Sequence, residues 1–474
     1  MEYSIINYRN VRTITNDFRI DADYFRPRYL KEDRQRAHFK NINIEDFAYV
    51  TDGQHGYHEV DESSPIFHLT AKNAKGWFAN TEDADRLAKW VDDKNRRSSL
   101  KERDLILSTR GTVGLCALVK KEALPANIDQ DVARIAVNAK VGIEPEFLLA
   151  YLNCAFGQDW LIRNTSGMVQ QGLPLAKVRS IPIPLLSSDF QGLCKHVIEA
   201  GFKSLRNSET LYLKAEQAIL SELGLLDWKP KHRLSFVKKF SDTQSSGRID
   251  AEYFQPKYDE VVKAVMKYKG GFVQLGEVAK TKRGCLISDY FYDEREGIPY
   301  IRGADFSSGF LEDNKIIFIN KSFKSKTETK IKKGEIVFTL IGTVGATALV
   351  NEKYDNAFIS NNLGKIVTIN YNSIVLQVLL HSIIGKIYFE KEQTQTAQPK
   401  ISDKDIHSFI LPLFDDAFNA EIEKRYLESH KTKTLSKGLL DIAKHGVEMA
   451  IEKSEKDAQN WIEAELKKLN VGVD

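Results

Sequence analysis

Residues 19–29 read RIDADYFRPRY, and residues 248–258 read RIDAEYFQPKY. Eight of the eleven positions are identical, and the other three exchange Asp for Glu, Arg for Gln and Arg for Lys. Working outward, DLILSTRGTVGLCALV at 104–119 matches EIVFTLIGTVGATALV at 335–350, and LPLAKVRSIPIPLL at 173–186 aligns with ISDKDIHSFILPLF at 401–414. The three offsets are 229, 231 and 228 residues. Ordered matches at a nearly constant offset mean that the chain is a tandem duplication with small insertions.

Each copy reads as a mixed α/β (α+β) domain followed by a long helix. Residues 105–108 and 336–339 are short β-favouring runs, with return partners at 115–119 and 347–350. The GTVG segments between them have the composition of tight turns, and Gly111, Gly114, Gly342 and Gly345 are the positions expected to take positive φ. Residues 146–161 and 374–389 carry apolar residues at helical spacing and predict one buried helix per copy. Ser187, Ser188 and Asp189, and likewise Asp415 and Asp416, are N-cap candidates just ahead of the tails.

In the first tail Ile198, Phe202, Leu205, Tyr212, Ala215, Ile219 and Leu223 follow steps of three and four, and in the second Leu440, Ala443, Val447, Ile451, Ala458, Ile462, Leu466 and Leu469 do so. Such stripes on charged helices seek a partner, and the two tails are expected to pair as an antiparallel coiled coil, the first spanning ~50 Å. Gly438 and Gly446 are possible breaks in the second. The expected division is 1–186, 187–228, 229–414 and 415–474.

The 474 residues, 42% hydrophobic and 28% charged with 12 prolines, exclude a disordered or collagen-like chain. The most apolar run, 374–389, is interrupted by Gln377, His381 and Lys386, and the N-terminus lacks an apolar signal core, so a soluble cytoplasmic protein away from membranes is expected. Four cysteines without a CxxC pair make a disulfide framework or thiolate zinc site improbable. Net charge is +3, but residues 189–228 and 416–474 each carry −2, which leaves +7 on the remainder. That distribution suits a polyanionic partner.

With these motifs in this order the chain resembles the specificity subunits of type I restriction–modification systems. The twin RIDA-[DE]-YF-x-P-[RK]-Y openings, the twin GTVG hairpins, the IDQD and ISNN segments at 128–131 and 359–362, and the IPIPL and ILPLF exits carry the resemblance. It implies two target-recognition domains (1–186 and 229–414), each followed by a helical spacer. It also implies a non-catalytic DNA-binding subunit that recruits two methyltransferase subunits and restriction/translocase subunits, with S-adenosylmethionine held by the partner methyltransferase and no cofactor bound directly. Two diverged readers on a spacer predict an asymmetric bipartite site in double-stranded DNA, whereas identical readers would favour a palindrome.

Base-edge readers should be loop residues whose donors and acceptors match the major groove. Copy one offers Gln54, His55, Tyr57, Lys72, Asn73 and Arg110. Copy two offers Lys282, Arg283, Arg302, Asn361 and Asn362. The run Lys321, Lys324, Lys326, Lys330, Lys332 and Lys333 is a candidate phosphate-contacting face, with Arg96, Arg97, Lys101 and Arg103 at a roughly corresponding place. Gln170 and Gln171 could also lie against the duplex. His55, His58 and His68 with Asp52 have no counterpart in copy two and read as ordinary loop residues, so no metal is expected. Neither GxxxxGK[ST], GxGxxG nor [DNS]PP[YF] occurs, which speaks against the rival reading of a self-contained nuclease or methyltransferase. A nonspecific architectural DNA binder is the third reading.

Overall fold

The computed structural model describes residues 6, 11, 19–166, 172–287, 292–293, 297–307, 309–311, 316–323, 329–394 and 398–472. Contacts group the chain into two compact units: residues 1–206 with 432–474, and residues 207–431. Both long helices therefore contribute one part to each unit.

In the first unit helix α1 (Pro27–Arg36) opens on proline at the first helical position, where its missing N–H costs nothing. An antiparallel sheet follows in the order β1 (Ala48–Asp52), β7 (Val132–Val137), β4 (Leu105–Ser108), β5 (Cys116–Leu118). A smaller sheet sets β2 (Phe67–Leu69) between β3 (Asp85–Arg86) and β6 (Ala126–Ile128), antiparallel to the former and parallel to the latter. The unbroken apolar character of β4 follows from burial on both faces. Leu105 and Leu107 enter the core with the helices, while Ile106 enters a separate cluster with Ala117, Val119 and Ile128, as the two-residue period of a strand requires.

The second unit repeats this plan. After α5 (Pro256–Met266), β8 (Ala279–Arg283), β14 (Leu363–Thr368), β11 (Ile336–Thr339) and β12 (Thr347–Leu349) lie in the same order. Ile336 and Phe338 face the helices and Val337 the opposite cluster. In the smaller sheet β9 (Ile298–Ile301) lies between β10 (Ile317–Ile319) and β13 (Phe358–Ile359). The IPIP and ILP exits pair with residues 41–43 and 272–274 of their own units.

Each expected buried helix is in fact two, meeting at a sharp corner: α2 (Pro145–Asn153) with α3 (Ala155–Arg163), and α6 (Ser373–His381) with α7 (Ile383–Glu392), the second pair bent by 73°. Cys154 and Ser382 take extended backbone at the corners, with ψ of 171° and 176°. The turn brings a glycine against the preceding helix: a Cβ on Gly157 would lie 2.2 Å from the Tyr151 carbonyl oxygen, and one on Gly385 2.0 Å from that of Leu380. Among the described residues no single helix is long and apolar enough to cross a membrane, and α6 with α7 buries its apolar surface in its own unit.

Helix α4 (Ser188–Glu222) begins where the Ser187 hydroxyl accepts the Phe190 N–H (3.3 Å), and α8 (Asp416–Glu452) where Asp415 accepts the Phe418 N–H (2.8 Å). In the first unit Phe190, Val197 and Ile198 share a core with Leu439, Ala443 and Val447, and Gly201 sits under Leu440. In the second, the Ser208 and Ser429 hydroxyls each donate to the other's carbonyl (2.8 and 2.9 Å), Tyr212 meets Tyr426, and Arg425 donates to the Lys214 carbonyl. The partners descend along α8 as they ascend along α4, so the helices run antiparallel there. The second tail differs from the expectation of one long helix. It continues unbroken through Gly438 and Gly446, ends at Glu452, and resumes as α9 (Glu455–Lys468), capped by Ser454. Gly446 is what lets α9 approach, since a Cβ there would lie 2.5 Å from Ile462 Cδ1.

Candidate nucleic-acid interface

The RIDA openings fasten each unit together. Arg19 grips Asp21 through two nitrogens (2.8 and 3.1 Å) and donates to the Arg163 and Thr165 carbonyls at the end of α3 (3.0 and 3.4 Å). Arg248 repeats this with Asp250 (2.8 and 3.0 Å) and the Glu392 and Gln393 carbonyls (both 3.4 Å) at the end of α7. Asp21 and Asp250 each accept a backbone N–H three residues on, and hydrogen bonding from Arg248 holds Asp250 below the usual carboxylate range. The motif is an architectural clamp.

The GTVG turns are closed by a hydroxyl. Ser108 donates to the Thr112 carbonyl (2.5 Å) and accepts the Leu115 N–H (2.8 Å); Thr339 donates to the Thr343 carbonyl and accepts the Ala346 N–H (2.9 Å). Gly111, Gly114, Gly342 and Gly345 all have positive φ, between 70° and 94°.

Around each turn the repeated motifs converge. The Thr109 N–H donates to the Asp131 carbonyl and the Leu173 N–H to that of Thr109 (both 2.8 Å). Leu340, Asn362 and Ile401 make the same ladder at 2.8 and 2.9 Å. Beside it the end of β1 crosses residues 128–129, where a Cβ on Gly53 would lie 1.8 Å from the Ile128 oxygen; at the end of β8 a Cβ on Gly284 would lie 2.1 Å from that of Ser360. Like backbones thus bring together the same four segments in both units.

The side chains they present differ. In the first unit Arg110 reaches Asp131 (3.3 Å), and Asp52 lies between His55 (2.8 Å) and Arg97 (3.2 Å). Gln54 donates to the Tyr57 carbonyl (2.6 Å), and Tyr57 itself is 88% exposed. A cavity of about 380 Å³ opens among Asp52, Thr109, Arg110, Gln130, Ser166 and Gly172. Burial pushes the neighbouring Asp129 carboxyl up to about 6. Strand register places Arg283 of the second unit where the first has Asp52, and Ile341 where the first has Arg110. There Arg283 donates to the Asn361 carbonyl (2.5 Å), while Lys282 and Asn362 are exposed.

The structure therefore gathers Gln54, His55, Tyr57 and Arg110 in one unit, and Lys282, Arg283, Asn361 and Asn362 in the other. Lys72 lies apart, donating to the Asp83 carbonyl (2.7 Å), and Arg302 is beside Asp305 (3.7 Å). Asn73 is a correction. It is fully buried, accepts the Thr70 N–H (2.9 Å) and donates to the Glu82 carbonyl (3.2 Å), as Asp305 accepts the Arg302 N–H (2.7 Å) at the corresponding turn. No base edge can reach such a side chain. Lys324, Lys326, Gln170 and Gln171 lie outside the described residues. Of the basic residues ahead of the turns, Arg103 is committed to Glu144 and Glu146, Arg97 to Asp52, and Lys333 to Glu352. Arg97, grouped in the sequence with the phosphate-contacting candidates, and Gln130, not among the candidate base readers, also join the site. The IDQD/ISNN repeat pointed to Gln130, while Arg97 depends on a contact 45 residues away in sequence.

Residues 269–417 match the family model described as the type I restriction modification DNA specificity domain. The first copy repeats the motifs of the matched segment in the same order. The chain is also similar to the type I restriction–modification S subunit from M. genitalium, at 13% identity over 88% of this chain and 96% of that one, with a TM-score of 0.38. The HsdS subunit from Thermoanaerobacter tengcongensis matches at 15% identity over 88% and 97%, with a TM-score of 0.29. A chain from a structural study of complex assembly and conformational transition of the type I R-M system matches at 15% over 92% and 98%, with a TM-score of 0.27. No curated protein matches the chain.

Proposed function

We propose that this chain is the non-catalytic DNA specificity subunit of a type I restriction–modification system, reading an asymmetric bipartite site. In this reading residues 1–186 and 229–414 are the two readers. The segments 187–228 and 415–474 are spacers that pair as a coiled coil, set the gap between half-sites and dock two methyltransferase subunits and the restriction subunits. S-adenosylmethionine binds to the methyltransferase partner, and the assembly works in the cytoplasm. The observation that carries the reading is the twice-built convergence of four segments around a GTVG turn, with Asp52, Arg110 and Gln130 in one unit and Arg283, Ile341 and Asn361 in the other. Like scaffolds with unlike side chains suit two unlike half-sites.

The test uses the chain assembled with its methyltransferase. Arg110→Ala should relax base preference only in one half-site and Arg283→Ala only in the other, each at about 1–3 kcal/mol. Uniform weakening on every sequence, with no change in preference, would assign both arginines to phosphates and favour the architectural reading.

A further inference from the structure

We propose that the first unit holds a divalent transition-metal ion, zinc by its chemistry, on His58, His68 and Asp85. The three side chains come from adjacent extended segments. His68 and Asp85 are direct cross-strand partners in the antiparallel pair β2–β3 and so project from the same face. Residues 59–61 lie along the other side of β3: Val60 bridges Leu87, the Asp61 N–H donates to the Arg86 carbonyl and the Ala88 N–H to that of Glu59. That pairing fixes His58 over the strand pair. Trp90 donates to the Glu59 carboxylate (2.9 Å) and pins the segment further.

One ligand atom from each residue lies within 4.8 Å of the other two, and His58 Nε2 is 3.9 Å from the Asp85 carboxylate. A tetrahedral zinc with bonds near 2.0–2.1 Å needs its ligands ~3.3 Å apart. Small rotations of Asp85, which faces solvent, and of half-buried His58 close the difference. Two imidazoles and a carboxylate, with a fourth position open to water on the exposed side of Asp85, form a set that first-row metals favour.

A second, independent observation points to a ligand. His68 is 3% exposed, and among the described residues its buried Nδ1 has no hydrogen-bond partner. Buried polar atoms are rarely left so. The two imidazole rings lie 3.9 Å apart. The corresponding position of the second unit, by register against β13, is Tyr300, whose hydroxyl donates to the Cys285 carbonyl (2.9 Å). The second copy satisfies its polar atom internally, and the first leaves one available.

The site would staple the segment carrying Gln54, His55 and Tyr57 to the smaller sheet, and it stands or falls independently of the DNA-reading proposal. The experiment is calorimetric titration of the chelator-treated full chain with Zn²⁺, paired with the visible absorption of the Co²⁺ form. One equivalent should bind, with a tetrahedral Co²⁺ spectrum. His58→Ala and Asp85→Asn, both at partly exposed positions and checked for native circular dichroism, should each weaken Zn²⁺ binding tenfold or more, while His38→Ala, on exposed surface elsewhere, should leave it unchanged. Failure of the unaltered chain to bind, or binding that survives both ligand substitutions, overturns the assignment.

Discussion

Gly385→Ala probes the corner on which each unit's core is built. The added Cβ would lie 2.0 Å from the Leu380 carbonyl oxygen and 2.4 Å from its carbonyl carbon and Cα. All three are backbone atoms, so no side chain can rotate away, and relief requires opening the 73° bend between α6 and α7. Overpacking of this kind costs about 1–3 kcal/mol or somewhat more, against which the helical preference of Ala over Gly returns about 1 kcal/mol. The net expectation is a loss of up to about 2 kcal/mol. Gly192, inside α4 with nothing within 4 Å of its notional Cβ among the described residues, supplies the opposite sign: Gly192→Ala should gain about 1 kcal/mol. Urea unfolding of the full chain, followed by circular dichroism and by tryptophan fluorescence, measures both. Equal stabilisation by the two substitutions would refute the corner as described.

Glu32 shares a site with Asp159, and burial followed by that repulsion raises its pKa from 4.5 to about 8. A carboxyl whose folded pKa is raised contributes most below its unfolded pKa and loses that contribution as pH climbs through 4.5 to 8. Glu32→Gln should therefore stabilise the chain increasingly across that window, by about 1–2 kcal/mol near pH 8 after allowance for solvent screening, as seen in thermal melts against pH. In the chelator-treated, metal-free chain His68 behaves oppositely. With its folded pKa pushed from 6.5 to about 4, stability is intact above pH 6.5 and falls as pH drops toward 4, by up to about 3 kcal/mol; His68→Phe should flatten that arm of the melting curve. Three cysteines, Cys116, Cys154 and Cys194, are buried with their thiols raised by desolvation, and Cys285 is partly exposed. Thiol titration of the native chain should find one fast-reacting group, rising to four in denaturant; more than one fast group in native buffer would contradict this packing.

The sequence revealed what local pattern encodes. The twin RIDA openings and GTVG turns gave the repeat, and the Ser187 and Asp415 caps marked the helix starts seen in the structure. Periodicity could not reveal the corners at Cys154 and Ser382, because both arms of each bend are apolar and one helical stripe runs on into the next. Gly446 looked like a possible break when its role is to admit α9, a contact that spans 16 residues. Asn73 has the chemistry of a base reader, and only its burial against Thr70 and Glu82 shows that the amide is spent inside the fold. The histidines were visible, but their grouping was not. His55 turns to Asp52, and His58 joins His68 and Asp85 through a strand register that no local spacing announces.

The most direct test of the account is selection of bound sequences from a random DNA pool by this chain assembled with its methyltransferase partner. Two short, unlike blocks separated by a fixed gap are the expected enrichment, because two like scaffolds present unlike side chains. A single continuous or palindromic site, or binding without enrichment, would contradict the reading of the chain as a two-domain specificity subunit.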